Sequence, residues 1–144
     1  MVTGAFQEMA ITEQDIDTVA RTVYGEARGE GTDGRLAVAH VIQNRLMDPT
    51  QRYGGTYEEV CKKAAQFSCW NADDPNRMKL MMVTLSDPWF RQCYCAALHV
   101  ICLWEKDSTG GSKHYHHEDI TPYWAKEKRP VRKIGVHVFY DNID

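Results

Sequence analysis

Three carboxylates and a cluster of histidines are the groups in this chain whose types and spacing can do chemistry. Glu26, Glu30 and Asp33 lie within "YGEARGEGTDG", interleaved with glycines. Cleavage of a glycosidic bond commonly uses a pair of carboxyl groups, one an acid and one a nucleophile or base. At about 100° per residue, Glu26 falls beside Val19 and Val23, on the edge of an apolar stripe. A carboxyl group against apolar neighbours is partly desolvated, which raises its pKa and keeps its proton near neutral pH. Arg28 points the other way, toward solvent. Glu30 and Asp33 are candidates for a second carboxylate, and equally for ordinary helix-end charges. Gly25, Gly29 and Gly31 remove side chains where a bulky ligand could approach, or else end the helix. "KHYHH" gathers His114, His116 and His117. Three histidines with a glutamate can hold zinc with an open position. No H-E-x-x-H or comparable spacing exists, so no metal and no cofactor are expected.

The elements that must position these groups are mostly helical. Thr12 reads as an N-cap with Asp15 at N3, and Ile11 and Ile16 have the spacing of a hydrophobic staple. Ile16, Val19, Ala20, Val23, Tyr24 and Ala27 then form one helical stripe. Thr32 or Asp33 caps a second helix with Leu36, Val38, Val41, Ile42 and Leu46 inward, closed by Pro49. Thr56 and Glu59 form a capping box for a short helix to about Ala65. Asp74-Pro75 and Asp87-Pro88 each read as an N-cap followed by an N1 proline. The helix after Pro88 carries Phe90, Cys93, Ala97, Ile101 and Trp104 at core spacing. Residues 66 to 77 and 107 to 124 read as long loops. In "VRKIGVHVFY", Ile134, Val136, Val138 and Tyr140 alternate as in a strand, or a hairpin turning near Gly135. The fold class is α+β, mainly helical, with one small β element. Nothing divides the chain, so residues 1–144 read as one domain with a loose arm over residues 1 to 10.

Composition narrows the partners. The chain has 144 residues and a net charge of −3, which argues against a strongly electrostatic nucleic-acid binder. No apolar stretch is long enough to span a bilayer, so membrane insertion is not expected. The start, "MVTGAFQEMA", lacks the cationic and apolar regions of a secretory signal. The five cysteines are an odd number with no C-x-x-C pair, which reads as buried thiols in a reducing cytosol.

"ARTVYGEARGEGTDGRLAVAHVIQNRL", "QFSCWN", "TGGSKHYHH" and "GVHVFY" occur in this order and together resemble the spore-cortex-lytic and cell-wall hydrolase family. The resemblance runs from about Ile16 to Tyr140. It implies a compact lysozyme-like domain that cleaves the glycan strand of peptidoglycan between N-acetylmuramic acid and N-acetylglucosamine. It further implies a lytic transglycosylase whose catalytic glutamate, the first of "GEARGE", falls on Glu26. A second carboxylate is then dispensable, because the C6 hydroxyl of muramic acid attacks C1 and gives a 1,6-anhydro product. The resemblance places Gln66, Phe67, Ser68 and Trp70, with His114 and Tyr115, in the walls of the sugar groove. Tyr115 would offer its ring to a sugar, so its truncation should cost turnover rather than stability. Trp70 and Asn71 after "QFSC", and His116 in place of a second tyrosine, depart from the family pattern. A catalytic domain without an export signal resembles a phage endolysin. Such a protein would be a monomer that waits in the host cytoplasm and acts on the wall once the membrane is permeabilised. The alternatives are a hydrolytic muramidase, a zinc-dependent N-acetylmuramoyl-L-alanine amidase and a non-catalytic wall-binding module.

Overall fold

The structure is a computed structural model, and it describes residues 10–64 and 66–144. The expected N-terminal arm therefore lies outside the described residues, apart from the exposed Ala10.

Helix α1, Glu13–Ala27, is the hub. The capping box forms as expected: Thr12 Oγ1 accepts from Asp15 N at 3.2 Å, and Asp15 Oδ2 accepts from Thr12 N at 3.0 Å. Ile16 packs on the core, whereas Ile11 stays 45% exposed. Around α1 pack α2 (Thr32–Leu46), α3 (Tyr57–Lys62), α4 (Pro75–Met82) and α5 (Pro88–Ile101). Val19, Val23, Ile42, Val60, Phe67, Leu80, Phe90 and Ile101 are all but fully buried at their centre.

One expected start shifts, and one expected capping box forms only in half. The N-cap of α2 is Gly31, which supplies no side-chain cap, and Thr32 is already helical. In α3, Thr56 Oγ1 accepts from Glu59 N, but Glu59 reaches Gly55 N instead of closing the box. That helix ends at Lys62, short of the expected Ala65, which is outside the described residues. Both Asp-Pro starts form: Asp74 caps Asn76 N, and Asp87 caps Trp89 N and Phe90 N. Trp104 lies beyond the end of α5 and is 64% exposed, so it is not core.

The long segment after α5 is not irregular throughout. His114–His117 forms β1, and two further strands follow, β2 (Arg132–Ile134) and β3 (His137–Tyr140). The three make an antiparallel sheet in the order β1-β3-β2, with Tyr115 opposite Phe139 and His117 opposite His137. The hairpin does turn at Gly135, whose φ of +60° lies in the left-handed region that favours glycine. The inward phase of β3 differs from the expected one. His137, Phe139 and Tyr140 are buried, while Val138 is only half-buried. Phe139 sets this phase by packing on Ala37 and Val41 of α2, with Tyr115 and Ile134 against the same cluster. The outcome is a mainly helical α+β fold in which the sheet lies against α2 and faces the end of α1.

Candidate functional site

Glu26 sits on the last turn of α1. Its position on the edge of the apolar stripe leaves it half-buried. The Tyr115 hydroxyl donates to Glu26 Oε1 at 2.8 Å. No lysine, arginine or histidine pairs with this carboxylate among the described residues. Burial pushes its pKa above the ordinary glutamate range, and this outweighs the lowering by the Tyr115 hydroxyl and the Cys69 thiol. The nearby Asp74 adds to the rise. Glu26 is thus an acid whose proton is favoured by its surroundings and whose anion still has a donor aimed at it.

Tyr115 is held on both sides. Its ring lies 4.8 Å from the His137 ring and 5.5 Å from the Phe139 ring, centroid to centroid. It packs against both hydrophobic clusters. The strand that carries it is tied to α2 through the preceding loop. Asn44 Nδ2 donates to Asp107 and to the Ser112 carbonyl, and Arg45 Nε donates to the Lys113 carbonyl at 2.7 Å. Lys113 Nζ in turn donates to Asp48 at 2.8 Å. Gly110 and Gly111, at φ of +63° and +80°, let this loop turn tightly. Tyr115 is therefore a packed residue that grips Glu26, not a free ring face, and its truncation should cost stability as well as turnover.

Two clefts flank the Glu26–Tyr115 contact. One, of about 310 Å³, is lined by Glu26, Arg28, Glu30, Asn76, His117 and His137. The other, of about 290 Å³, is lined by Arg45, Gln66, His114, Tyr115 and Trp124, with Ile143 and Asp144 at its end. Glu26 lines the first and Tyr115 the second, so the hydrogen bond between them bridges the two.

Glu30 shares the first cleft but is occupied. Its Oε1 accepts from Val136 N at 3.0 Å and clasps the β2–β3 hairpin to the start of α2. A Cβ at Gly135 would overlap this oxygen, and one at Gly34 would meet Glu30 Cβ at 2.8 Å. Both glycines make room for the clasp. Asp33 is exposed in the first turn of α2. Gly25 lines the first cleft, and a Cβ there would also meet Cys69 Cβ at 2.7 Å and Leu80 Cδ2 at 2.9 Å, so its missing side chain permits close packing of α1 as well. Gly29 and Gly31 face open space. Arg28, expected to point to solvent, lies along Tyr24 at 4.8 Å and donates to Asn76.

The structure brings Gln66, His114 and Tyr115 to the clefts beside Glu26, and it places the other wall candidates elsewhere. Phe67 is 2% exposed in the main core, under the Arg45 guanidinium at 4.7 Å. Ser68 is exposed and lines neither cleft. Trp70 packs on the core and donates Nε1–H to Thr22 Oγ1 at 2.9 Å. The histidines are separated by their own partners. His114 lies between Tyr53 and Trp124, His116 Nε2 meets the Tyr140 hydroxyl at 3.0 Å, and His117 Nδ1 accepts from Asp119 N. Among the described residues, no three His, Cys, Asp or Glu side chains gather as a metal-ligand set. Burial and the charge of Arg45 push the His114 pKa down to about 4, so this ring is neutral at neutral pH. Sequence reasoning missed Arg45, Asn76, Trp124 and His137. Asn76 and Trp124 carry no periodic signal, and the burial of Arg45 and His137 comes from tertiary packing.

This fold goes with a family. A model described as cell wall hydrolase matches residues 29–140, and the chain belongs to that family. The match begins just past Glu26. Among curated relatives, the spore cortex-lytic enzyme of Bacillus subtilis is 53% identical over 131 residues, which are 89% of this chain and 38% of the relative. That of Halalkalibacterium halodurans is 29% identical over 133 residues, 89% of this chain and 35% of the relative. The chain thus spans well under half the length of these relatives. Among solved structures, the catalytic domain of the Bacillus cereus SleB protein aligns with a TM-score of 0.77 at 26% identity, covering 97% of this chain and 99% of that domain. The catalytic domain of the germination-specific lytic transglycosylase SleB from Bacillus anthracis aligns at 0.70 and 27%, covering 91% and 97%. By family model and fold, this chain is a cell wall hydrolase family domain with the architecture of the SleB catalytic domains.

Proposed function

We propose that this protein cleaves the glycan strand of peptidoglycan as a lytic transglycosylase, with Glu26 as the single acid and base. The observation that carries the reading is the state of Glu26: half-buried beside two clefts, raised in pKa by burial, without an ion pair among the described residues, and gripped by Tyr115. Protonated Glu26 donates to the glycosidic oxygen as the bond to C1 of N-acetylmuramic acid breaks, and N-acetylglucosamine leaves with that proton. The carboxylate so formed takes the proton of the muramic acid C6 hydroxyl, whose oxygen closes on C1. The product is a 1,6-anhydro end, and Glu26 is reprotonated for the next cycle. An internal nucleophile needs no second carboxylate, which agrees with Glu30 being committed to the Val136 amide. The Tyr115 hydroxyl supports the carboxylate between the two proton transfers. The likeness to the germination-specific lytic transglycosylase SleB of Bacillus anthracis supports this reading.

The test is Glu26→Gln, which keeps the shape and removes the proton. Loss of a general acid costs about a hundredfold to ten-thousandfold in rate. Folded Glu26→Gln protein that clears purified peptidoglycan near the wild-type rate refutes the assignment, and Glu30→Gln serves as its neighbour control.

A further inference from the structure

Arg45 is a buried cation with unfinished hydrogen bonding. It is 5% exposed, yet it makes no ion pair among the described residues. Nε donates to the Lys113 carbonyl, while Nη1 is buried without a partner among the described residues. Its faces are covered, by Phe67 at 4.7 Å and Tyr53 at 5.4 Å. What remains for a partner is the in-plane N–H edge. Leaving a buried guanidinium unsatisfied is costly, and such a group calls for an acceptor oxygen, best an anionic one. Arg45 lines the 290 Å³ cleft together with Gln66 and His114, whose amide and neutral imidazole can add hydrogen bonds. Asp144 stands at the end of this cleft without pairing to Arg45. Tyr115 lines the same cleft and donates to Glu26, so a group bound there lies on the Tyr115 side of that carboxyl.

We propose that Arg45, with Gln66 and His114, forms a subsite for the lactyl carboxyl group of a muramic acid residue. The inference rests on the glycan-cleaving reading above and deepens it. Both sugars in the strand carry an N-acetyl group, but only muramic acid carries a lactyl ether, at C3. The oxygen offered to Arg45 comes either from a free lactyl carboxylate or from the amide carbonyl that joins the peptide stem. The subsite thereby sets which sugar lies on the Arg45 side of Glu26, and so which of the two alternating bonds is cut.

The probes are N-acetylmuramic acid, its alanyl-isoglutamine conjugate and N-acetylglucosamine, titrated into wild-type protein and into Arg45→Lys by calorimetry. One or both muramic probes should bind about tenfold or more tighter than N-acetylglucosamine, and Arg45→Lys should erase that difference, as expected for a hydrogen bond to a charged group. Tighter binding of the free acid identifies the carboxylate as the source, and tighter binding of the conjugate identifies the amide carbonyl. Equal binding of all three sugars, or a preference unchanged in folded Arg45→Lys, overturns the proposal. If Arg45→Lys does not fold, the arginine side-chain NMR resonances of the wild type decide it: they must shift on adding N-acetylmuramic acid, and unmoved resonances overturn the subsite. Sugar discrimination without glycan cleavage would refute the activity and leave the subsite standing. Cleavage without discrimination would do the reverse.

Discussion

The Tyr115 hydroxyl donates to Glu26 Oε1 across 2.8 Å, joining the first strand of the sheet to the last turn of the central helix. On the proposed acid–base role of Glu26, this contact makes the sheet part of the machinery. Tyr115→Phe keeps the ring packing and removes the donor. The hydroxyl stabilises the carboxylate and so pulls the Glu26 pKa down against burial. Without it the pKa rises further. Activity that depends on protonated Glu26 falls as pH rises through that pKa, so the alkaline limb of the pH–rate profile should move to higher pH, with a lower maximum. Stability should fall by only about 1 kcal/mol, the net worth of one hydrogen bond. Tyr115→Ala should instead cost about 3–5 kcal/mol, as for other packed aromatics. Melting curves and pH–rate profiles on the same samples check both; an unmoved limb in Tyr115→Phe contradicts this role.

Glu30 should prove structural. Glu30→Ala loses the acceptor for Val136 N and should destabilise by about 1 kcal/mol, since a half-buried donor is left without its partner. Glu30→Gln retains an acceptor oxygen and should recover most of that loss and most of the activity. Chemical denaturation and initial rates decide it. A Glu30→Gln protein as inactive as Glu26→Gln would make Glu30 a second catalytic carboxylate.

The raised pKa of Glu26 has a signature in stability. For a carboxyl whose folded pKa lies above its unfolded value, the favourable contribution is complete below the unfolded pKa and is lost as pH rises through the folded one. Glu26→Gln removes this loss. The melting temperature of Glu26→Gln relative to wild type should therefore climb between pH 4 and pH 8. A difference that stays constant over that range would mean that Glu26 is not perturbed.

His114 carries the opposite sign. Its folded pKa is pushed down to about 4 from an ordinary 6.5, so the stability it contributes is present above pH 6.5 and is lost as pH falls toward 4. His114→Gln should lose less on acidification across that window than the wild type does. Parallel acid-denaturation curves for the two proteins would contradict it.

What the sequence made legible is local. The Thr12 capping box and the two Asp-Pro starts depend on neighbours a few residues away, and each forms. The edge position of Glu26 follows from helical periodicity alone. β1 was illegible because "HYHH" carries no apolar alternation; pairing with β3 makes it a strand, and the packing of Phe139 on Ala37 and Val41 sets the phase of β3. Arg45 was illegible for a related reason. Spacing gives no hint that aromatic faces from two distant segments, at Tyr53 and Phe67, cover its guanidinium. The family resemblance puts Phe67 and Trp70 in groove walls through their neighbours in the motif, whereas packing turns both toward the core.

The most direct measurement is mass spectrometry of the muropeptides that wild-type and Glu26→Gln proteins release from purified peptidoglycan. The acid–base role of Glu26 with internal attack predicts 1,6-anhydromuramic ends from the wild type and none above background from Glu26→Gln. Hydrated reducing ends, free stem peptides, or anhydro ends still formed at the wild-type rate by Glu26→Gln would contradict it.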